Sequence, residues 1–148
     1  MRVFVTGASG WIGSAVVPEL IGAGHQVLGL ARSDASAATI AATGAEVLRG
    51  DLHDLDTLRA EAAGSDGVIH LAFIHDFTDF EASVGADRRA IETIGGALEG
   101  SGKPLVIASG TPAVPGHVAT EHDERGLVVA LTRARHEAVQ LEAVEEHG

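Results

Sequence analysis

The chain opens Met1-Arg-Val-Phe-Val-Thr6-Gly7-Ala-Ser9-Gly10-Trp11-Ile12-Gly13, a short apolar strand that runs into three glycines, each three residues from the next. Glycine reaches backbone angles closed to other residues and lets a ligand come close to the main chain. When such glycines follow a strand and lead into a helix, the free N–H groups and positive dipole end of that helix face an anion held in the turn. Thr6, Gly7, Ser9, Gly10, Trp11, Ile12 and Gly13 are therefore expected to wrap the pyrophosphate of a dinucleotide. The first glycine interval is one residue longer than in Gly-x-Gly-x-x-Gly. The argument accordingly rests on position, with a strand before the glycines and a helix after them.

Other residues capable of chemistry end the later apolar runs: Ala31-Arg32-Ser33, Gly50-Asp51-Leu52, His70-Leu71-Ala72 and Ala108-Ser109-Gly110-Thr111. The second of the five strand ends selects a cofactor. An acidic residue there accepts hydrogen bonds from the ribose 2′-hydroxyl of NAD, whereas an arginine can form two parallel charge-assisted bonds with the 2′-phosphate of NADP. Arg32 points to NADP(H) over NAD, with Ser33 as a second donor and Asp34 close enough to weaken the phosphate site. Histidines suited to proton transfer near neutral pH stand in later loops: His75 beside Asp76, and His117 and His122 beside Asp123 and Glu124. Their spacing matches no familiar metal-ligand pattern, so no metal is expected.

The elements that must position these residues alternate along the chain. Strands are expected over Val3–Thr6, Gln26–Ala31, Ala45–Arg49, Gly67–Leu71 and Pro104–Ser109. Helices are expected over Trp11–Ala23, Ala35–Thr43 capped by Ser33-Asp34, Asp54–Ala63 capped by His53-Asp54, Phe80–Gly100 and Glu124–Glu146, with a loop from Gly110 to His122. Five apolar strands joined by helical crossovers require a parallel sheet buried on both faces. Right-handed crossovers then give an α/β, doubly wound, Rossmann-like fold of strand order 3-2-1-4-5, a single domain over residues 1–148 with its chemistry at the carboxyl ends of the strands.

Composition narrows the partners. Ten Lys plus Arg against 21 Asp plus Glu leave a formal charge of −11 over 148 residues, which argues against nucleic acid and anionic membrane surfaces. There is no cysteine, which excludes disulfides and thiolate chemistry and agrees with a cytoplasmic setting. No targeting peptide is visible, and no run approaches the ~18 apolar residues of a membrane span. The expected partner is a small-molecule substrate of unassigned class, with self-association into a homo-oligomer left open.

The ordered set Thr6-Gly7-x-x-Gly10-x-x-Gly13, Asp51-Leu52 and His70-x-Ala72 resembles the extended short-chain dehydrogenase/reductases, the NAD(P)-dependent epimerase/dehydratase-like family. The resemblance covers essentially the whole chain. It implies that Asp51 contacts the adenine with Leu52 flanking the ring, and that Leu71 and Ala72 line the adenosine ribose and pyrophosphate. It also implies a Tyr-x-x-x-Lys pair on the last helix, the lysine lowering the tyrosine's pKa for proton exchange with substrate. This chain contains no tyrosine. Aligned through Glu137 and His147-Gly148, the pair falls on Val129 and Arg133. Arg133 can bind a nicotinamide ribose but is a poor acid or base at neutral pH. Ser109 and Thr111 match the family's hydroxyl after the fifth strand, which hydrogen-bonds a substrate carbonyl. Relatives continue beyond the position of His147-Gly148 into a sixth strand and a substrate-binding region not present in these residues. Three readings follow: the NADP(H)-binding domain of an oxidoreductase or epimerase without the usual Tyr-Lys pair; an active reductase whose proton donor is Thr111, a loop histidine or a bound water; and a non-catalytic nucleotide-sensing or interaction protein.

Overall fold

Strand and helix alternate in the computed structural model, which describes residues 1–76 and 78–108. The order is β1 (Arg2–Thr6), α1 (Gly13–Gly22), β2 (Gln26–Ala31), α2 (Asp34–Ala42), β3 (Glu46–Arg49), α3 (Leu55–Gly64), β4 (Gly67–His70), α4 (Phe80–Leu98) and β5 (Leu105–Ile107). All neighbouring strands are parallel, in the order β3-β2-β1-β4-β5. The expected topology is the one observed. Ser109, Thr111, Val129, Arg133, His117, His122 and the expected final helix lie outside the described residues.

The doubly wound shape can be traced to the alternation of side chains along β1. Val3 and Val5 join Ala8, Val17, Val27, Ala31, Ile40 and Ala45 in one buried cluster, on the side of α1 and α2. Phe4 points the other way, into a second cluster with Leu28, Leu30, Leu58, Val68, Ala90, Ile94 and Leu98, on the side of α3 and α4. Successive strand residues face opposite sides of a sheet, so a central strand with helices on both sides must be apolar at every position. Along α4, Ala90, Ile94 and Leu98 recur every four residues, which places one helical stripe on the sheet.

Local chemistry sets the helix starts. The Ser33 hydroxyl accepts the Ser36 N–H and Ser36 returns a bond to the Ser33 N–H, a reciprocal cap at α2. The carboxylates of Asp54 and Asp79 accept the N–H groups of Thr57 and Ala82 at α3 and α4. The first helix departs from expectation: it begins at Gly13 rather than Trp11, because the Gly10 N–H donates to the Gly7 carbonyl at 2.9 Å and closes a turn over residues 7–10 first. The fourth and fifth strands are shorter than expected, ending at His70 and spanning Leu105–Ile107. Pro104 has no N–H to give to a ladder, and only its carbonyl is used, by Val68. No helix among the described residues is long and apolar enough to cross a membrane.

Candidate functional site

The three glycines of the β1–α1 loop are glycine for different reasons. Gly7 has φ +69°, and a Cβ there would stand 2.7 Å from the Ala72 nitrogen and 2.8 Å from the Leu71 carbonyl carbon. Gly13 lies so close beneath the loop that a Cβ would come within 2.3 Å of the Gly7 oxygen and 2.5 Å of the Ala8 oxygen. Both are demanded by the fold, one where β1 meets the end of β4 and the other where α1 packs under its own loop. Gly10 is exposed, and its Cβ would meet only the Gly7 oxygen, at 3.2 Å. Packing therefore presses far less on Gly10 than on Gly7 or Gly13.

Beside Gly10 the amides of Trp11, Ile12 and Gly13 have no acceptor among the described residues. Ile12 and Gly13 are the cap and first residue of α1, where a helix leaves amides without an intrahelical acceptor, and Trp11 precedes them. Trp11 is 95% exposed and Ile12 is half exposed, whereas Gly13 is buried. Amides without an acceptor among the described residues at the positive end of α1, next to the exposed Gly10, suit an anion.

Beneath the loop is a buried polar chain. The Thr6 hydroxyl lies 2.8 Å from His70 Nδ1, and His70 Nε2 lies 3.2 Å from Asp87 Oδ1. The Ala72 N–H donates to the Thr6 oxygen at 3.3 Å. With the imidazole proton on Nε2, the Thr6 hydroxyl donates to Nδ1 and Nε2–H donates to Asp87, so each group has a partner. Thr6, His70 and Asp87 are all at most 2% exposed. This chain links β1, β4 and α4 at the point where the sheet order reverses, and it holds the Gly7 turn against Leu71 and Ala72. Sequence reasoning placed His70 at a strand end without a role and missed Asp87. The available signal was a charged residue at the buried spacing Ser83, Ala86, Asp87, Ala90 of an otherwise apolar and small helical face.

The far side of the site is formed at the ends of β2 and β3. Arg32 is exposed and makes no ion pair among the described residues. The Ser33 hydroxyl is committed to capping α2, through the Ser36 N–H and Oγ. Asp34 is bonded to Arg49, Oδ1 to Nη2 at 3.0 Å, and not to Arg32. Asp51 is exposed and its Oδ1 accepts the His53 N–H at 2.7 Å, which shapes the turn after β3. Leu52 is buried at 6% exposure with Phe4, Leu30 and Leu58, so of that pair Asp51 is the residue presented to solvent. On the loop after β4, Asp76 Oδ1 accepts both the N–H and the hydroxyl of Thr78, and these bonds hold its carboxyl below the usual range. The His75 ring stands edge-on to Phe73 with centroids 5.3 Å apart.

This geometry agrees with the comparisons to known proteins. Residues 3–127 match the NAD dependent epimerase/dehydratase family. The chain belongs to that family. An uncharacterised protein of Saccharomyces cerevisiae is 49% identical over 144 residues, covering 95% of this chain and 48% of that protein. A second uncharacterised protein, from Schizosaccharomyces pombe, is 47% identical over 126 residues, 84% of this chain and 43% of its own length. Among solved structures, a UDP-glucose-4-epimerase from Stenotrophomonas maltophila with bound NAD and formylated UDP-arabinopyranose superposes with a TM-score of 0.72 at 19% identity, over 100% of this chain and 50% of that one. The chain thus spans about half the length of the relatives it matches.

Proposed function

We propose that the β1–α1 loop and the ends of β2, β3 and β4 bind NADP(H), and that the chain is the cofactor-binding domain of an oxidoreductase or epimerase of this family. The observation that carries the reading is the contrast at the glycines: Gly7 and Gly13 are required by packing, while Gly10 is exposed beside three amides that have no acceptor among the described residues. The family description and the NAD bound in the Stenotrophomonas epimerase support a nicotinamide dinucleotide. Arg32, exposed and with no ion pair among the described residues, supports the form carrying a 2′-phosphate. In this reading the amides of Trp11, Ile12 and Gly13 hold the pyrophosphate, Leu71 and Ala72 form the wall opposite Gly7, and Asp51 accepts a hydrogen bond from the adenine.

When bound, such a cofactor supplies hydride transfer. The chain's own contribution is to bind and orient it. These 148 residues contain no tyrosine to exchange a proton with a substrate, and in our reading the family's pair falls on Val129 and Arg133. We therefore expect binding without appreciable reduction of simple aldehydes or ketones. A general acid contributes ~10²- to 10⁴-fold, and its loss leaves the chemical step slow even for a well-placed carbonyl. Steady NADPH oxidation on a carbonyl panel by the unmodified chain would contradict this and would turn attention to Thr111, His75 and His117 as donors.

Cofactor preference is testable by calorimetry and by the emission of Trp11, the one tryptophan in the chain, which stands on the loop itself. NADPH is expected to bind more tightly than NADH, and Arg32→Ala to remove most of the difference. Loss of a charge-assisted pair with the 2′-phosphate costs about 1.5 to 3 kcal/mol, or about 10- to 150-fold in Kd. Equal affinities in the parent chain would return Arg32 to the status of an ordinary surface residue.

A further inference from the structure

The edge of the sheet next to Arg32 holds a second arginine that the family resemblance does not assign. The β2–β3 register sets Ala31 opposite Arg49, so Arg49 stands one strand away from the residue that precedes Arg32. Its guanidinium is engaged by Asp34, the first residue of α2, with Nη2 to Oδ1 at 3.0 Å. The two side chains are 51% and 103% exposed, so water competes with each bond and the pair is readily exchanged. Both a carboxylate and a phosphate can accept two parallel bonds from a planar guanidinium, and the phosphate dianion is the stronger partner because it brings more charge.

We propose that Arg49 is a second ligand of the 2′-phosphate, and that Asp34 tunes the preference for NADP(H) over NAD(H) by holding Arg49 until the phosphate displaces it. The inference rests on the assignment of NADP(H) to this site through Arg32, and it adds a mechanism for the strength of the preference. Without the phosphate, Asp34 and Arg49 neutralise one another and Arg32 alone is uncompensated. With it, the dianion takes both guanidinium groups and Asp34 is released to solvent.

The test is a set of Kd values for NADPH and NADH, by calorimetry, for the parent chain, Arg49→Ala, Asp34→Asn, the double variant and Arg32→Ala. Circular dichroism checks that each folds, as expected for substitutions at exposed side chains. Arg49→Ala should weaken NADPH about tenfold and leave NADH within about twofold. Asp34→Asn should strengthen NADPH about two- to fivefold without helping NADH, and this gain should vanish in the Arg49→Ala background. A gain that persists in the double variant would mean that Asp34 acts by general charge repulsion, and would overturn the proposal. So would an Arg49→Ala chain whose NADPH preference is intact. If Arg32→Ala abolishes the preference while Arg49→Ala does not, the NADP(H) assignment stands and the role of Arg49 falls. Equal binding of both dinucleotides by the parent would remove both.

Discussion

Gly10→Val should abolish dinucleotide binding in a chain that still folds. The valine Cβ would have one close neighbour, the Gly7 oxygen at 3.2 Å, a contact that a shift of a few tenths of an ångström relieves. Its methyl groups would then occupy the open space in front of the Trp11, Ile12 and Gly13 amides, where the pyrophosphate must lie. Gly13→Val provides the contrast. There the new Cβ falls 2.3 Å from a main-chain oxygen that cannot rotate away, so that variant is expected to lose the fold along with the site. Calorimetry on a Gly10→Val chain with native circular dichroism is the decisive measurement, and unchanged affinity would refute the site.

The second large effect is expected at Thr6→Val, which keeps the shape of the side chain and removes only the hydroxyl. His70 Nδ1 then loses its partner in a buried position, and the half-buried Ala72 N–H loses its bond as well. Each orphaned buried group costs about 1 to 3 kcal/mol, a large share of the roughly 5 to 15 kcal/mol that holds a domain together. A clear fall in the urea midpoint is expected, together with weaker NADPH binding, because the same bonds hold Gly7 against the end of β4. A midpoint equal to that of the parent would show that the Thr6–His70–Asp87 chain contributes no net stability.

The architecture was legible in the sequence because its cause is local and repeated. Runs such as Val3–Val5 and Val27–Leu30 are apolar at successive positions, which only a strand covered on both faces requires, and the caps at Ser33 and Asp54 mark where helices begin. The glycine spacing disclosed the loop in the same way. The demand for glycine at position 7 was not legible, since it depends on Ala72 and Leu71, more than sixty residues away. The same holds for Asp87, whose partner is on another element, and for Asp34, which the sequence set against Arg32 and the fold gives to Arg49. Leu52 reads as a ring-flanking residue from its place beside Asp51, yet packing against Phe4 and Leu58 takes it into the core. Long-range packing decided each of these, and periodicity carries no record of it.

The contact of Gly7 with Leu71 and Ala72 also has a consequence for how the protein comes into being. The loop's sequence leaves the ribosome early, but its left-handed turn is braced only when the end of β4 docks beside β1. At about 5 to 20 residues per second, synthesis from residue 7 to residue 72 takes roughly 3 to 13 seconds, during which the glycines form part of an unbraced chain. Nucleotide affinity should therefore appear abruptly with chain length. Ribosome-arrested chains that expose fewer than 72 residues should ignore the dinucleotide, and those that also expose Asp87 should capture it.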